Sequence, residues 1–260
     1  MAGETEKELQ QLKKRFRELA EKSYMQNIYC FTGFLGMAQL DAFYQMEREI
    51  SHVSYRLFGG HEGCERQMIR FGSPEMLGYE EAFPIVCIHI KPLAERFAED
   101  LGHRDILGAC MNLGIERGTM GDIICRSGEK GKDGYLYCTE TIAPYVTENL
   151  TRIRHTDVSC SLCQEGVSLP GPELTTREYQ TASERVDGVI AKVYRLSREK
   201  SLLLFREKRV FVDGRLRENG SSLLKADEVV SVRGFGKFIY RGMTHQTRKG
   251  KYNIRVEIYV

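Results

Sequence analysis

Apolar residues recur at three- and four-residue intervals near the start of the chain, where Leu9, Leu12, Phe16 and Leu19 stand among charged side chains. That spacing predicts an amphipathic helix with one buried stripe. Residues 31–35 read as a turn before a second helix over 38–49, and 52–58 and 66–71 as short extended segments flanking the glycine-bearing stretch 59–63. Those glycines suit a tight or left-handed connection. The stretch is no phosphate loop, because it lacks the lysine-hydroxyl ending and the strand-to-helix setting.

The pattern changes at 83–90, Phe-Pro-Ile-Val-Cys-Ile-His-Ile, which predicts a dense strand. Helices are expected over 94–100 and 105–113, then strands at 121–125 and 135–137 joined by the charged, glycine-bearing 127–134. A helix over 143–149 and a last edge strand over 151–158 complete the order strand, helix, strand, strand, helix, strand. This is the order of a split βαβ domain, a shape that many functions use and that predicts none of them. Residues 168–176, with Pro170, Gly171 and Pro172, make the best linker.

Two short helices are expected beyond it. Ser183 is placed to cap the first, whose apolar face is Val186, Val189, Ile190 and Val193; Leu196 closes it, and Ser197 caps a second over 198–205. A brief strand at 209–212 meets a turn at Asp213-Gly214 that leads into Arg215-Leu216. A strand at 229–233 is broken or bulged at Gly234-Phe235-Gly236 and resumes over 237–240, and 252–259 alternates as an antiparallel strand. The expected fold class is α+β: an N-terminal helical and β-hairpin domain (1–75), a central split βαβ, RRM-like domain (76–165), a linker (166–180) and a C-terminal domain (181–260).

With 42% hydrophobic and 28% charged residues, the composition is that of an ordinary globular chain. No run of 18 apolar residues predicts a transmembrane helix, and the opening MAGETEKELQQLKKRF has no apolar signal region. The expectation is a cytoplasmic, monomeric protein with no membrane partner. Several of the eight cysteines sit within apolar stretches, where a thiol packs as a small hydrophobe, so a disulfide set is not expected. Only Cys160 and Cys163 have ligand-like spacing; Cys138 and His155 add no regular zinc pattern, and neither metal nor cofactor is expected.

Charge sharpens the picture. Residues 176–260 carry 19 Lys and Arg against 10 Asp and Glu, a net of +9, while the remainder carries 19 against 26, a net of −7. A basic end on an acidic body argues for a polyanionic partner, without separating RNA from DNA or a membrane surface. The basic groups collect in three places: Arg195, Arg198 and Lys200 at the helix corner; Arg206, Lys208 and Arg209 before the strand; Arg233, Lys237 and Arg241 around the later glycines. An αα-β arrangement is expected to bring them to one face, where guanidinium groups grip phosphates bidentately.

Five motifs in order, Ser183-Glu184-Arg185-Val186-Asp187, Leu196-Ser197-Arg198-Glu199-Lys200-Ser201, Val210-Phe211-Val212-Asp213-Gly214, Ala226-Asp227-Glu228-Val229 and Arg233-Gly234-Phe235-Gly236-Lys237, resemble the alpha-L RNA-binding fold, the S4-like domain named for a small-subunit ribosomal protein. Val186 stands where Leu is usual, Asp213 where Asn is usual, and Phe205-Arg206-Glu207-Lys208 replaces the commoner Ile-x-x-Gly. The resemblance implies RNA contact by the basic side chains and adds Arg185 and Ser197 to them. Leu101-Gly102-His103-Arg104-Asp105-Ile106-Leu107-Gly108-Ala109, Asn112-Leu113-Gly114-Ile115-Glu116-Arg117 and Gly121-Asp122-Ile123 are similar to the central domain of the YlmH family, and residues 58–66 to its N-terminal glycine-rich turn. That resemblance implies a bacterial protein that contacts ribosomal RNA and tRNA, on stalled large ribosomal subunits carrying peptidyl-tRNA. It also carries an association of the family with cell division.

His103-Arg104-Asp105 invites a catalytic reading, but consecutive helical residues point about 100° apart and make no relay by adjacency. Asp105 is expected to cap the following helix, leaving His103 and Arg104 for structure or RNA contact. Pseudouridine synthases carry a similar RNA-binding appendage, yet here Gly214-Arg215-Leu216 is followed by Arg217, not the carboxylate of their Arg-Leu-Asp signature. Tyrosyl-tRNA synthetases carry the appendage last, yet this chain has no His-x-Gly-His or Lys-Met-Ser-Lys-Ser-like stretch. No catalytic residue is assigned. An RNA-modifying enzyme and a cell-division adaptor stand as the alternatives to a non-catalytic RNA-binding factor.

Overall fold

Helix α1 (Glu6–Gln26) buries Phe16, Leu19 and Ala20 from the expected stripe. The structure, a computed structural model, describes residues 6–126, 132–164, 174–246 and 250–259 of an α+β chain. Of the connection and linker expected at 127–134 and 168–176, residues 127–131 and 168–173 lie outside them. Two compact units divide the chain, 1–171 and 172–260.

In the first unit, α1 packs on α2 (Met37–Met46), with Phe16 edge-on to Phe43 at 5.4 Å between ring centroids. Beneath them lies a three-stranded sheet of β1 (Cys30–Phe31), β2 (Tyr55–Phe58) and β3 (Met68–Phe71), with β3 in the middle. The turn expected at 31–35 thus contributes a strand. The short α3 (Pro74–Leu77) is followed by Gly78 in the left-handed region at φ 77°. A second sheet then forms from β4 (Ile85–Pro92), β5 (Met120–Cys125), β6 (Gly134–Thr139), β7 (Arg152–Ile153) and β8 (Thr156–Leu162), in the order β5-β6-β4-β8-β7. Helices α4 (His103–Asn112) and α5 (Ala143–Asn149) cover one face, burying Ile88, Ile90, Ile106, Met120, Leu136, Val146 and Val158 together.

Three sequence expectations are corrected here. The helix at 94–100 is a single 3-10 turn, Glu95–Phe97. The Leu93 N–H continues the strand pairing by donating to the Asp157 carbonyl at 3.0 Å, and the backbone is extended again at Ala98, with φ −72° and ψ 140°. The edge strand at 151–158 is a hairpin, β7 to β8, turning at Arg154 with φ 54°, and β8 lies inside the sheet against β4. No Asn-Gly or Asp-Gly marked that turn. Helix α4 starts at His103, and Asp105 caps it from the third position, accepting the Gly102 N–H at 3.0 Å.

Within this unit the Gly-rich turn and the second sheet are stitched by two charged side chains. The Arg66 guanidinium donates to the carbonyls of Met120 (2.8 Å), Phe34 (2.9 Å) and Arg117 (2.9 Å). Asp122 answers it, accepting the backbone N–H of Glu65 (2.7 Å) and Arg66 (2.9 Å), with His61 Nε2 at 3.2 Å. Phe34 N–H donates to the Gly118 carbonyl at 2.7 Å, and a Cβ at Gly33 would lie 2.8 Å from that oxygen, so the approach requires glycine.

The second unit is a six-stranded antiparallel sheet in the order β11-β10-β12-β13-β14-β9, with two short helices on one face. Its strands are β9 (Leu174–Thr181), β10 (Val210–Val212), β11 (Arg215–Leu216), β12 (Val229–Val232), β13 (Gly236–Gln246) and β14 (Tyr252–Tyr259). Residues 174–180, expected as linker, are strand: β9 pairs with β14 along its whole length. Its Thr-Thr-Arg-Glu-Tyr-Gln run is mostly exposed, so its pairing rests on backbone hydrogen bonds rather than on an apolar pattern. Gly234-Phe235-Gly236 neither breaks nor bulges one strand. The chain reverses there, and β12 and β13 pair as a hairpin.

Helices α6 (Val186–Val193) and α7 (Arg198–Arg206) turn Val186, Val189, Ile190, Val193, Leu204 and Phe205 onto Val210, Val230, Phe238, Tyr240, Ile254 and Val256 of the sheet. Burying six such side chains stabilises the layer by about 1.5–3 kcal/mol each before entropy is counted. Ser183 does not cap α6, which starts three residues later. Thr181 Oγ1 donates to the Ser183 carbonyl at 2.9 Å instead, and the Glu184 carboxylate accepts the Tyr240 hydroxyl.

Burial alone would raise the Asp122 pKa, yet the hydrogen bonds from His61, Glu65 and Arg66 hold it below its ordinary value of 3.8. The carboxylate therefore contributes stability that is complete above that ordinary value and is lost as the pH falls through the lower folded-state value. Urea titrations of wild type and Asp122→Asn should separate at neutral pH and converge under acid; Arg66→Ala should cost about 3 kcal/mol at neutral pH.

Candidate nucleic-acid interface

The α6 to α7 corner is built from two helix ends of the same design. At the end of α6 the Leu196 N–H donates to the Ala191 carbonyl at 2.9 Å, and at the end of α7 the Arg209 N–H donates to the Leu204 carbonyl at 3.0 Å. Both are six-to-one bonds, which require a left-handed residue just past the helix, usually glycine. Here those residues are Arg195 and Lys208, each at φ 54°. A side chain in that conformation costs roughly 1–2 kcal/mol. Lys208 is the position at which Phe205-Arg206-Glu207-Lys208 departs from the commoner ending in Gly.

Ser197 caps α7 as expected, accepting the Lys200 N–H at 3.2 Å. Ser201, wholly buried, donates to the Asp187 carbonyl at 2.7 Å and locks α7 to α6. With the corner fixed in this way, Arg195, Arg198, Lys200 and Arg206 are all exposed.

Ion pairing sorts the sequence candidates. Arg185 makes a bidentate pair with the buried Asp187 at 2.8 and 3.1 Å and also donates to Ser221. Lys208 meets Glu218 at 3.3 Å, and Arg209 meets Glu207 at 3.1 Å while donating to the Arg233 carbonyl. Arg241 lies between Asp227 and Glu257, both at 2.7 Å, which push its pKa up through hydrogen bonding. Among the described residues, Arg195, Arg198, Lys200 and Arg206 have no carboxylate partner. Lys192 shares that condition, one turn before Arg195 on the outer face of α6. Sequence reasoning passed over Lys192, which lies in the last turn of α6, just before the corner that carries Arg195.

The third group does not join the other two. Lys237 alternates with the buried Phe238 and lies over the Tyr259 ring at 4.1 Å, and Arg233 lies over Phe211 at 5.0 Å. Strand alternation therefore puts Lys237 and Arg241 on the sheet face opposite the helices, and the single convergent face expected from sequence does not form. In the first unit, His103 and Arg104 are exposed at the start of α4. Desolvation of the imidazole and the nearby Arg117, against the opposing Asp122 carboxylate, lower the His103 pKa from its ordinary value.

Cys160 and Cys163 do not form a ligand pair. Three residues apart along one extended run, they fall on opposite faces, Cys160 against the helix-side core and Cys163 against Cys87, Tyr135 and Tyr137. Burial pushes the thiols of Cys110 and Cys125 up to about 11 and those of Cys138 and Cys160 up to about 12. The described residues hold no group of three or more His, Cys, Asp or Glu able to share a metal ion. No helix among them is long and apolar enough to cross a membrane.

The architecture is that of an α+β chain whose second unit presents unpaired cations on a two-helix corner. Residues 79–165 match the family model described as "Putative RNA-binding domain in YlmH". Over 208 residues the chain is 28% identical to the ribosome-associated protein quality control protein P2 of Bacillus subtilis (strain 168), covering 79% of this chain and 78% of that protein. A solved structure, the cell division protein ylmH from Streptococcus pneumoniae, aligns with a TM-score of 0.49 and 18% identity over 65% of this chain and 99% of its own.

If Arg195 and Lys208 occupy glycine-type positions for the sake of their charge, glycine there relieves strain. Arg195→Gly and Lys208→Gly should each leave stability unchanged or raise it by up to about 1 kcal/mol, read from urea midpoints. A loss of stability would show that these side chains serve the fold.

Proposed function

We propose that this chain is a non-catalytic RNA-binding factor that holds structured ribosomal RNA and tRNA on the ribosome, on stalled large subunits carrying peptidyl-tRNA. The observation that carries this reading is the sorting of charge on the α6 to α7 corner. Neighbouring basic residues are neutralised by Asp or Glu, whereas Lys192, Arg195, Arg198, Lys200 and Arg206 are left to solvent. Phosphate oxygens are the partners that such a cluster lacks. The name of the Bacillus relative, a ribosome-associated quality control protein, supports placing that RNA on the ribosome.

On this reading the second unit is the S4-like alpha-L domain and supplies the grip. The order β5-β6-β4-β8 under α4 and α5 supports reading residues 76–165 as a split βαβ, RRM-like part. His103 and Arg104 are its proposed contacts. Arg185 and Ser197 act by shaping the corner, and Arg209, Arg233, Lys237 and Arg241 are secondary contacts at most, since each already has a partner within the unit.

Replacing Arg195, Arg198, Lys200 and Arg206 together by Ala should weaken binding to large ribosomal subunits. If about four phosphate contacts are lost, the slope of log K against log salt should flatten by roughly 3. Co-sedimentation and filter binding over a salt series check this, with Arg241→Ala as the control; an unchanged slope would reject the assignment.

A further inference from the structure

The outer face of α6 carries a groove of about 640 Å³, a volume within the range of small-molecule clefts, roughly 300–1,000 Å³. Gly188 and Ala191, one turn apart, line it together with Leu196, with residues 181–183 at the end of β9 and with the paired Arg185 and Asp187. Lys192, Arg195 and Arg198, three of the cations without carboxylate partners, stand around it.

Each part of this arrangement restricts the occupant. Phosphates of a continuous duplex need only the cationic rim and gain nothing from the apolar part of the lining, Ala182, Gly188, Ala191 and Leu196, beside which the Asp187 carboxylate is already paired with Arg185. An apolar peptide suits that part but leaves three cations unpaired. A flat group with an anion on either side satisfies both, and an unpaired nucleotide is such a group. The space also owes nothing to packing constraints: a Cβ at Gly188 would meet only Thr181 Oγ1, at an ordinary 3.6 Å.

We propose that this groove receives the base of a single unpaired nucleotide, whose flanking phosphates lie on Lys192, Arg195 and Arg198. The proposal rests on the RNA-binding reading of this unit and adds to it a preference for a bulge or strand junction over uninterrupted helix. An already unpaired base enters without the cost of being pulled from a stack.

The test uses the full chain and two RNA hairpins that differ by one bulged nucleotide, with 2-aminopurine at the bulge. Wild type should bind the bulged hairpin about tenfold more tightly at fixed salt, and the 2-aminopurine emission should change on binding. Ala191→Leu fills the groove, suits a helix and removes no charge; it should abolish the tenfold preference while leaving affinity for the paired hairpin intact. Arg195→Ala with Arg198→Ala should weaken both complexes. Equal wild-type affinity for the two hairpins, an unchanged 2-aminopurine signal, or a preference that survives in Ala191→Leu would overturn the groove while leaving RNA binding in place. Failure of wild type to bind either hairpin would remove the RNA-binding reading itself.

Discussion

Two helices of eight and nine residues are too short to persist by their own hydrogen bonds, and everything the second unit presents depends on how they are held. Each buries one apolar stripe on the six-stranded sheet, and each ends in a left-handed residue that turns the chain sharply. The corner between them is thereby rigid: Ser197 satisfies the start of α7, Ser201 ties α7 to α6, and no long side chain is needed to support it. Cations placed on such a corner keep a fixed spacing, which is what recognition of a folded polyanion requires. That basic residues occupy both left-handed positions, where glycine is cheaper, fits a surface shaped by charge at some expense of stability.

In the first unit a comparable constraint acts through a charged pair. Arg66 satisfies three carbonyls and Asp122 two amides, so the Gly-rich turn is held against the second sheet by groups that cannot separate without leaving several buried polar atoms unpaired. One consequence is that the sheet face away from α4 and α5 is partly covered. A Cβ at Gly60 would lie 2.3 Å from the Tyr137 ring, and His61 packs on that ring at 4.9 Å between centroids. In many split βαβ RNA binders this face stacks bases on exposed aromatics. Tyr137 is enclosed here and offers no exposed ring for such stacking.

Much of the architecture was legible from sequence because it follows local rules. The period of Leu9, Leu12, Phe16 and Leu19, the cap at Ser197, the Asp213-Gly214 turn and the alternation of 252–259 each depend on residues a few positions apart, and each forms where it was expected. The misreadings share a cause as well. Strand β9, the β7 to β8 hairpin and the reversal at Gly234 are decided by pairing with distant strands, for which a mostly exposed or weakly marked segment carries no local sign.

The interface divides in the same way. Sequence by itself determined that the C-terminal end is basic, that its two helices are short and the second is capped by Ser197, and which residue types stand at the corner, because charge and helix periodicity are properties of the chain. Only the tertiary structure decided which cations are available. Glu218, Asp227 and Glu257 are brought to Lys208 and Arg241 by folding, local backbone geometry sets Asp187 on Arg185 and Glu207 on Arg209, and strand alternation sends Lys237 and Arg241 to the far face of the sheet. What is left exposed and unpaired, together with Lys192, is a subset that no count of charges along the sequence could have selected, since an ion pair is set by distance in space and not by separation along the chain.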